Sequence, residues 1–106
     1  MGSPVTVIRP YTIYYPDRSE HELSEDEISM WEGKHEYNRD IRPFLDKYMD
    51  GAWMEVIRPT EYPEVEMIVD EDGQMKGLPV NRVGSVLYGA GYICGPVVLL
   101  PAGTIK

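Results

Sequence analysis

The sequence is poor in the residues that hold covalent or metal-built scaffolds together: it has one cysteine, Cys94, and two histidines, His21 and His35. A single cysteine excludes an internal disulfide and is typical of proteins that fold in a reducing compartment. Because Cys94 lies in an apolar run, we expect a small buried side chain rather than a catalytic thiol. Without an HExxH motif or a cysteine pair, both histidines indicate solvated surface residues, and we expect no metal and no cofactor.

Long apolar runs are also missing. No stretch approaches the roughly 20 apolar residues that a membrane-spanning helix needs. The start of the chain lacks the basic and then apolar segments of a secretory signal. We therefore expect a cytoplasmic protein that does not bind membranes.

Acidic residues are absent from the last third of the chain. All eighteen lie between Asp17 and Asp72, together with six basic residues, so this segment has a net charge of −12. The residues after Asp72 include Lys76, Arg82 and Lys106 and are locally positive. A whole-chain pI near 4.6 argues against a general nucleic-acid surface, but it leaves room for a local anion site.

No catalytic constellation is visible. The glycines at Gly89, Gly91 and Gly95 do not form a dinucleotide fingerprint, because only eleven residues follow Gly95 and none is acidic. Ser85 lacks the flanking glycines of a nucleophile elbow and has no histidine near it in the sequence. Carboxylates are too frequent to single out a pair. These absences favour a protein that is not an enzyme.

The first part of the chain predicts strands and helices in turn. Alternation and β-branched residues predict strands at Val5–Arg9 and Thr12–Tyr15, and His21–Leu23 is expected to be connecting chain. Ser24 and Glu27 have the spacing of a capping box, in which each side chain bonds the other residue's amide.

Two helices are expected next. The helix that begins after Ser24 should end at Gly33. A second helix should begin near Asp40, carry Pro43 in its first turn and end at Gly51. Its apolar residues recur at helical spacing: Ile41, Phe44, Leu45, Tyr48 and Met49.

The second part predicts mainly strands. Trp53–Arg58 is one, and a half-buried strand follows at residues 64–70, where apolar and acidic residues alternate. Asp72-Gly73 indicates a hairpin turn, with Gln74–Lys76 as the returning strand. A short helical segment is expected at Asn81–Tyr88. The continuously apolar Val97–Leu100 predicts an interior strand.

These segments predict an α+β fold with a small mixed, mostly antiparallel sheet. Two helices are inserted between the N-terminal and C-terminal strands, and a short third helix lies near residues 81–88. We expect a single domain over 1–106, with an acidic helical insertion at 17–50 and a core at 51–106. A domain of this size buries only about two-thirds of its unfolded surface, which favours a homo-oligomer.

Several short motifs of the second half occur in a recognisable order. They are the Asp72-Gly73 turn, the Lys76–Pro79 run, Asn81-Arg82 and the Ile93–Leu100 strand. In these motifs the chain resembles the DUF3846 family over roughly Asp50–Leu100, although the family pattern has Ala where Gly84 stands. The resemblance implies a small phage or bacterial protein without an assigned activity, located in the host cytoplasm if a phage encodes it.

The same region supplies the candidate ligand site. A helix start beside glycine and two basic side chains is suited to an anion, which singles out Lys76, Gly77, Asn81 and Arg82. Asn81 is also suited to cap the helix. Arg82 is suited either to grip a phosphate or to pair with an acid of the helical half.

Two further pairs complete this candidate site. Tyr88 and Tyr92 are suited to stack on a base. The repeated Val-Ile-Arg-Pro at residues 7–10 and 56–59 adds Arg9 and Arg58, if the two segments are neighbours; otherwise both are strand ends stopped by proline.

Three functional hypotheses follow. The first is a phage-type accessory protein, serving counter-defence, that binds and sequesters a nucleotide-like signalling ligand. The second is an acidic interaction protein that covers a basic surface of a host enzyme in the manner of a DNA mimic. The third and least favoured is a small nucleotide hydrolase. The expected partner is thus a nucleotide-like small molecule or a host protein, with no direct contact to nucleic acid.

Overall fold

The computed structural model describes residues 8–32 and 41–105. These residues form seven strands and three helices: β1 Thr12–Tyr14, β2 Glu20–Glu22, α1 Glu25–Glu32, α2 Arg42–Tyr48, β3 Met54–Ile57, β4 Val65–Asp70, β5 Val80–Asn81, α3 Arg82–Tyr88, β6 Ile93–Cys94 and β7 Val97–Pro101. The α+β fold class predicted from the sequence is confirmed.

Five strands form one sheet in the order β2-β1-β7-β4-β3, and every neighbouring pair is antiparallel. The remaining strands, β5 and β6, pair with each other. The apolar β7 lies at the centre of the sheet, as its sequence predicts. Its four residues from Val97 to Leu100 are fully buried because both faces of the sheet are covered.

Two apolar clusters cover the two faces. On one face, the side chains of α1 and α2 pack on alternate residues of the central strands, namely Ile13, Ile68, Val98 and Leu100. On the other face, Leu87 of α3 and Ile93 of β6 pack on the intervening strand residues, namely Tyr14, Val65, Met67, Val69, Val97 and Leu99. The sheet is therefore the middle layer of three.

The prediction that β4 is half-buried is wrong. All six of its residues are buried, including the acidic Glu66 and Asp70. The alternation itself is real, but the face that carries the acids is covered too. Each carboxylate has polar partners there: Glu66 accepts from the backbone N–H groups of Gly103 and Ile105, and Asp70 accepts from Asp72 N–H and the Lys76 ammonium.

The helices of the first half follow their sequence signals. The capping box that opens α1 is formed, with Ser24 N–H donating to Glu27 Oε1 at 2.9 Å and Glu27 N–H donating to Ser24 Oγ at 3.1 Å. Pro43 lies in the first turn of α2, where its missing N–H costs nothing. Gly51, in the left-handed region at φ 69°, closes that helix by donating to Leu45 O.

Four sequence predictions fall on residues that the structure does not describe. They are the strand at Val5–Arg9 over most of its length, the stop at Gly33, the surface position of His35 and the cap at Asp40.

One segment expected to be connecting chain is a strand. Residues Glu20–Glu22 form β2, which pairs with β1 and is one edge of the sheet. Both of its glutamates are exposed, so it lacks the apolar alternation that identifies a half-buried strand. The strand β2 instead forms through backbone pairing with β1. A turn in which Ser19 N–H donates to the Asp17 side chain connects the two strands.

The expected hairpin at Asp72-Gly73 is also wrong. Residues 71–77 form consecutive turns, with Lys76 N–H donating to Asp72 O and Leu78 N–H to Gly73 O, and no strand forms at 74–76. Gly73 is needed for a close approach rather than for a hairpin. A Cβ atom at this position would lie 2.3 Å from the carbonyl oxygen of Cys94.

We expect Gly73→Ala to lower the free energy of unfolding by about 2 kcal/mol, within the range of overpacking substitutions, because the obstacle is a backbone atom. Gly91→Ala is the matched control, since its Cβ would meet only Tyr88 Cε2, at 3.6 Å. Urea unfolding of both variants measures the difference. Equal free energies of unfolding for the two variants would show that Gly73 is not in close contact with the backbone of β6.

Candidate functional site

A groove of about 530 Å³ opens between the β3 side of the sheet and the C-terminal end of α3. We call it the β3–α3 groove; the residues that determine its chemistry are Glu55, Ile57, Glu71, Met75, Tyr88 and Tyr92. Its volume lies within the ~300–1,000 Å³ range of ligand sites in proteins.

One wall of the groove is apolar and aromatic. Met75 is 87% exposed, Tyr92 69% and Tyr88 39%, so three large side chains face solvent together. The 71–77 turns and the loop after α3 are tied to each other where Gln74 Nε2 donates to Tyr92 O at 2.7 Å. Gly89, at φ 76°, ends α3 just after Tyr88. The two segments that carry this wall are therefore tied together by a hydrogen bond.

Another part of the groove lining, which we call the acidic wall, is formed by carboxylates. Glu55 of β3 and Glu71, which follows β4, are both exposed and line the groove. Within residues 8–32 and 41–105, neither is in an ion pair. Asp70 also lines the groove, but it pairs with Lys76, whose Nζ lies 2.8 Å from Asp70 Oδ2. The groove thus presents two uncompensated carboxylates.

The predicted anion-binding residues do not converge. Lys76 is held by Asp70, and the hydrogen bond that its ammonium donates to that carboxylate raises the pKa of Lys76. Gly77 lies in the following turn with φ 71°. Asn81 is fully buried, and its side chain is used inside the fold, so the capping alternative describes it.

The three arginines have separate surroundings. Arg82 is exposed at the start of α3 and forms no ion pair with any described residue. Arg9 pairs with Glu20 of β2, whereas Arg58 lies 3.4 Å from Glu66 of β4. The repeated Val-Ile-Arg-Pro therefore does not bring Arg9 and Arg58 to a common partner. Of the eight predicted residues, only Tyr88 and Tyr92 line the β3–α3 groove.

Comparison with known proteins identifies a family. A family model described as a domain of unknown function, DUF3846, matches residues 32–104. The chain belongs to the DUF3846 family. The match extends the resemblance seen in the sequence back to the end of α1 and includes α2. No curated protein and no solved structure that was compared matches the chain.

The acidic wall of this DUF3846 protein was missed in the sequence. Glu55 alternates with apolar neighbours in Met54–Ile57, which is a signal for an exposed side chain on a strand. The sequence does not tell which strands are edges, however, so nothing in it distinguished Glu55 from the other seventeen acids. Met75 was placed in a strand that does not exist.

A second polar cluster joins β2, α1 and α2. Glu27 of the capping box also accepts from the Tyr48 hydroxyl, and His21 Nε2 lies 3.1 Å from both Glu27 Oε1 and the Tyr48 oxygen. His21, expected to be a solvated surface residue, is half-buried and stacks on Tyr48 with ring centroids 5.0 Å apart. The cluster extends the capping box of α1 and connects α1 and α2 to β2, an edge strand of the sheet.

The bonds in this cluster shift two pKa values. Burial disfavours the Glu27 carboxylate, but hydrogen bonds from Tyr48, the Ser24 amide and His21 outweigh it and lower the pKa of Glu27 from 4.5 to about 2. Burial and the bond to Glu27 raise the pKa of Tyr48 to about 12. Both groups therefore keep their neutral-pH forms over a wide range.

The Glu27 shift predicts an acid-sensitive contribution to stability. Because its folded pKa is depressed, the contribution is fully present above about pH 4.5 and is lost as the pH falls towards 2. We expect it to be about 1–2 kcal/mol, since solvent screens a surface cluster. Urea unfolding at pH 2–6 should show a smaller loss for Glu27→Gln than for the wild type, while Glu25→Gln, an exposed acid of the same turn, should follow the wild type. Parallel curves for all three proteins would contradict the assignment.

Other site chemistries are not prominent in the described residues. Cys94, expected to be buried, is half-buried and unpaired. No group of three or more metal-ligating side chains converges within residues 8–32 and 41–105. In that same part of the chain, no helix has the length and hydropathy needed to cross a membrane.

Proposed function

We propose that the protein is a non-enzymatic binding protein whose β3–α3 groove takes a basic segment of a partner protein. One observation carries the proposal: the exposed side chains of Met75, Tyr88 and Tyr92 line the same groove as the uncompensated carboxylates of Glu55 and Glu71. The proposal keeps the basic partner of the acidic interaction protein considered from the sequence, but replaces the broad acidic face that covers a host enzyme with one groove that takes one segment.

The two walls suit the two parts of a lysine or arginine side chain. The apolar stem of such a residue packs on tyrosine and methionine, while its charged end remains near carboxylates and water. A cation beside a tyrosine ring gains a further ~0.5–1 kcal/mol at an exposed site. Tyrosine and methionine are also enriched at protein interfaces, where one side chain supplies both apolar area and adaptable contacts.

The charge of the chain supports the same partner chemistry. A net charge of −8 attracts a basic partner from a distance and speeds association, and it repels nucleic acid and other anions. Such attraction weakens as salt is added, because the Debye length shortens from ~30 Å at 0.01 M to ~8 Å at 0.15 M.

A nucleotide-like ligand, sequestered for counter-defence in a phage setting, is the second candidate. The observation in its favour is that Tyr88 and Tyr92 are both exposed in one groove, where a base has aromatic faces to stack on. Its phosphates would meet Glu55 and Glu71, however, and Lys76 is already paired with Asp70. The charges of the groove therefore favour the protein partner.

Selection from a random peptide-display library tests the proposal. Peptides retained by the wild type, after depletion on Glu55→Lys/Glu71→Lys, should be enriched in lysine and arginine and should bind more weakly at higher salt. A selected set without excess basic residues would overturn the proposal.

A thermal-shift panel of cyclic and ADP-ribose-type nucleotides tests the second candidate. A shift that is lost in Arg82→Ala would favour the anion site predicted from the sequence, whereas no shift would remove the nucleotide from consideration.

A further inference from the structure

We propose that the partner segment binds as a sixth strand added to β3, with a basic side chain beside Glu55. This inference rests on the proposed function of the β3–α3 groove and specifies how the partner is held. In the order β2-β1-β7-β4-β3, β3 pairs only with β4 among the described strands, so its other side is an open edge. An open edge offers backbone donors and acceptors to an extended segment.

The ladder shows which backbone groups the open edge offers. Residues Met54–Ile57 pair with β4 in an antiparallel register, and Glu71 N–H donates to Trp53 O at 2.9 Å just beyond it. In an antiparallel ladder, alternate residues direct both backbone groups to the same neighbour. Trp53, Glu55 and Ile57 therefore face β4. The N–H and C=O groups of Met54 and Val56 point outward.

The side chains of β3 alternate between the two faces of the sheet. Met54 and Val56 pack against the cluster beneath α1 and α2, whereas Ile57 packs against the cluster beneath α3. Glu55 shares the face of Ile57 and lines the β3–α3 groove. An added strand would place every second side chain in the groove. The residue opposite Glu55 would have its Cβ about 4.5–5.5 Å from that of Glu55.

Charge selects the occupant of this edge. A second copy of the chain, paired two-fold through β3, would bring its own Glu55 opposite or diagonal to this one, and like charges across strands are destabilising. Both copies would also carry −8. An extended segment with lysine or arginine at alternate positions has the opposite charge and meets Glu55 directly, with Tyr88, Tyr92 and Met75 beyond it.

Amide hydrogen exchange tests the strand addition directly. The probe is an eight-residue peptide that alternates lysine with threonine. We expect it to slow exchange at the Met54 and Val56 amides by about tenfold or more at saturation, since each gains a hydrogen bond. The Glu55 and Ile57 amides already bond β4 and should change little. Binding without protection at Met54 and Val56, or no binding at millimolar peptide, overturns the inference.

Two matched comparisons separate this inference from the proposed function. The same peptide with N-methyl groups on alternate amides keeps its charges and cannot pair with β3, so it should bind at least about tenfold more weakly. Val56→Pro removes an outward N–H while leaving the β4 ladder bonds, and it should have the same effect if its melting curve shows a folded protein. Unchanged affinity for the N-methylated peptide would overturn strand addition even if the proline variant failed to fold.

Charge reversal then tests the groove itself. Glu55→Lys should abolish binding of both peptides, whereas Glu22→Lys, an exposed glutamate on the opposite edge strand β2, should leave it unchanged. If Glu55→Lys weakens binding but N-methylation of the peptide does not, the acidic groove binds the peptide without strand addition, and only the further inference fails. If Glu55→Lys has no effect, the proposed function fails as well.

Discussion

Asn81→Ala is expected to lower the free energy of unfolding by about 3–5 kcal/mol, although it removes only one polar side chain. The Asn81 Nδ2 group donates to Tyr14 O and Gly95 O, both at 2.8 Å, and its Oδ1 accepts from Gly84 N–H at 3.0 Å. The side chain is fully buried, so water does not replace these bonds. Alanine would remove the cap of α3 and leave two buried carbonyl groups without their donors.

The variant Asn81→Asp separates the cap from the other bonds. Aspartate keeps an acceptor for Gly84 N–H, but an ionised carboxylate has no donor for Tyr14 O or Gly95 O. It should therefore be at least as destabilising as alanine at pH 7 and recover part of the loss in acid, when the protonated carboxyl donates once. Arg82→Ala, one residue along and exposed, should change stability by no more than about 0.5 kcal/mol. Urea unfolding of the three variants measures the differences. A loss under 1 kcal/mol for Asn81→Ala would contradict the bridging role.

Asn81 also shows where sequence reasoning stops. Its capping role is local and was predictable, because the helix start lies in the next residue. Its bond to Tyr14 O joins residues that are 67 positions apart, and it depends on α3 packing over β1. A buried polar residue with both roles looks the same in the sequence as an exposed one, so Asn81 was placed both in a ligand site and in a cap.

The strands, too, were predictable only where the signal is local in the sequence. The interior position of β7 was predictable, since only a strand covered on both faces tolerates an unbroken apolar run. For β4 the pattern predicted one polar face, because Gly103 and Ile105, whose amides bond the buried Glu66, lie 37 and 39 positions further along the chain. The exposed β2 carries no apolar signal, and pairing with β1 alone defines it.

The candidate site was partly predictable for a related reason. Tyrosines near α3 were identified as a contact surface, and Tyr88 and Tyr92 do line the β3–α3 groove. Its charge was not predictable, because the acid-free last third suggested a positive site. The fold instead places Glu55 and Glu71 in the same groove as the tyrosines and uses Asp70 to neutralise Lys76. Local sequence charge is therefore a poor guide to the charge of a groove that two distant segments build.

The other acid of β4, Glu66, holds the turn that follows β7. Its replacement is the second substitution for which we expect a large loss of stability. Glu66 is fully buried, and its Oε1 and Oε2 accept from Gly103 N–H at 3.2 Å and Ile105 N–H at 2.7 Å. Arg58 Nε lies 3.4 Å from Oε1, and its Nη2 donates to Ile105 O at 3.3 Å. Glu66 and Arg58 together hold the turn that follows β7 against β4.

Glu66→Ala is expected to lower the free energy of unfolding by about 3 kcal/mol, because two hydrogen bonds to a charged group are worth roughly 1.5–3 kcal/mol each and partial rehydration of the amides returns some of this. Glu66→Gln keeps one acceptor oxygen and should lose about half as much. Glu64→Ala is the matched control, since that side chain is exposed two residues earlier. Hydrogen exchange should show the Gly103 and Ile105 amides opening in Glu66→Ala before the rest of the sheet does. Unchanged protection at those two amides would mean that β7 and the Ala102 bond to Glu64 O hold the turn without Glu66.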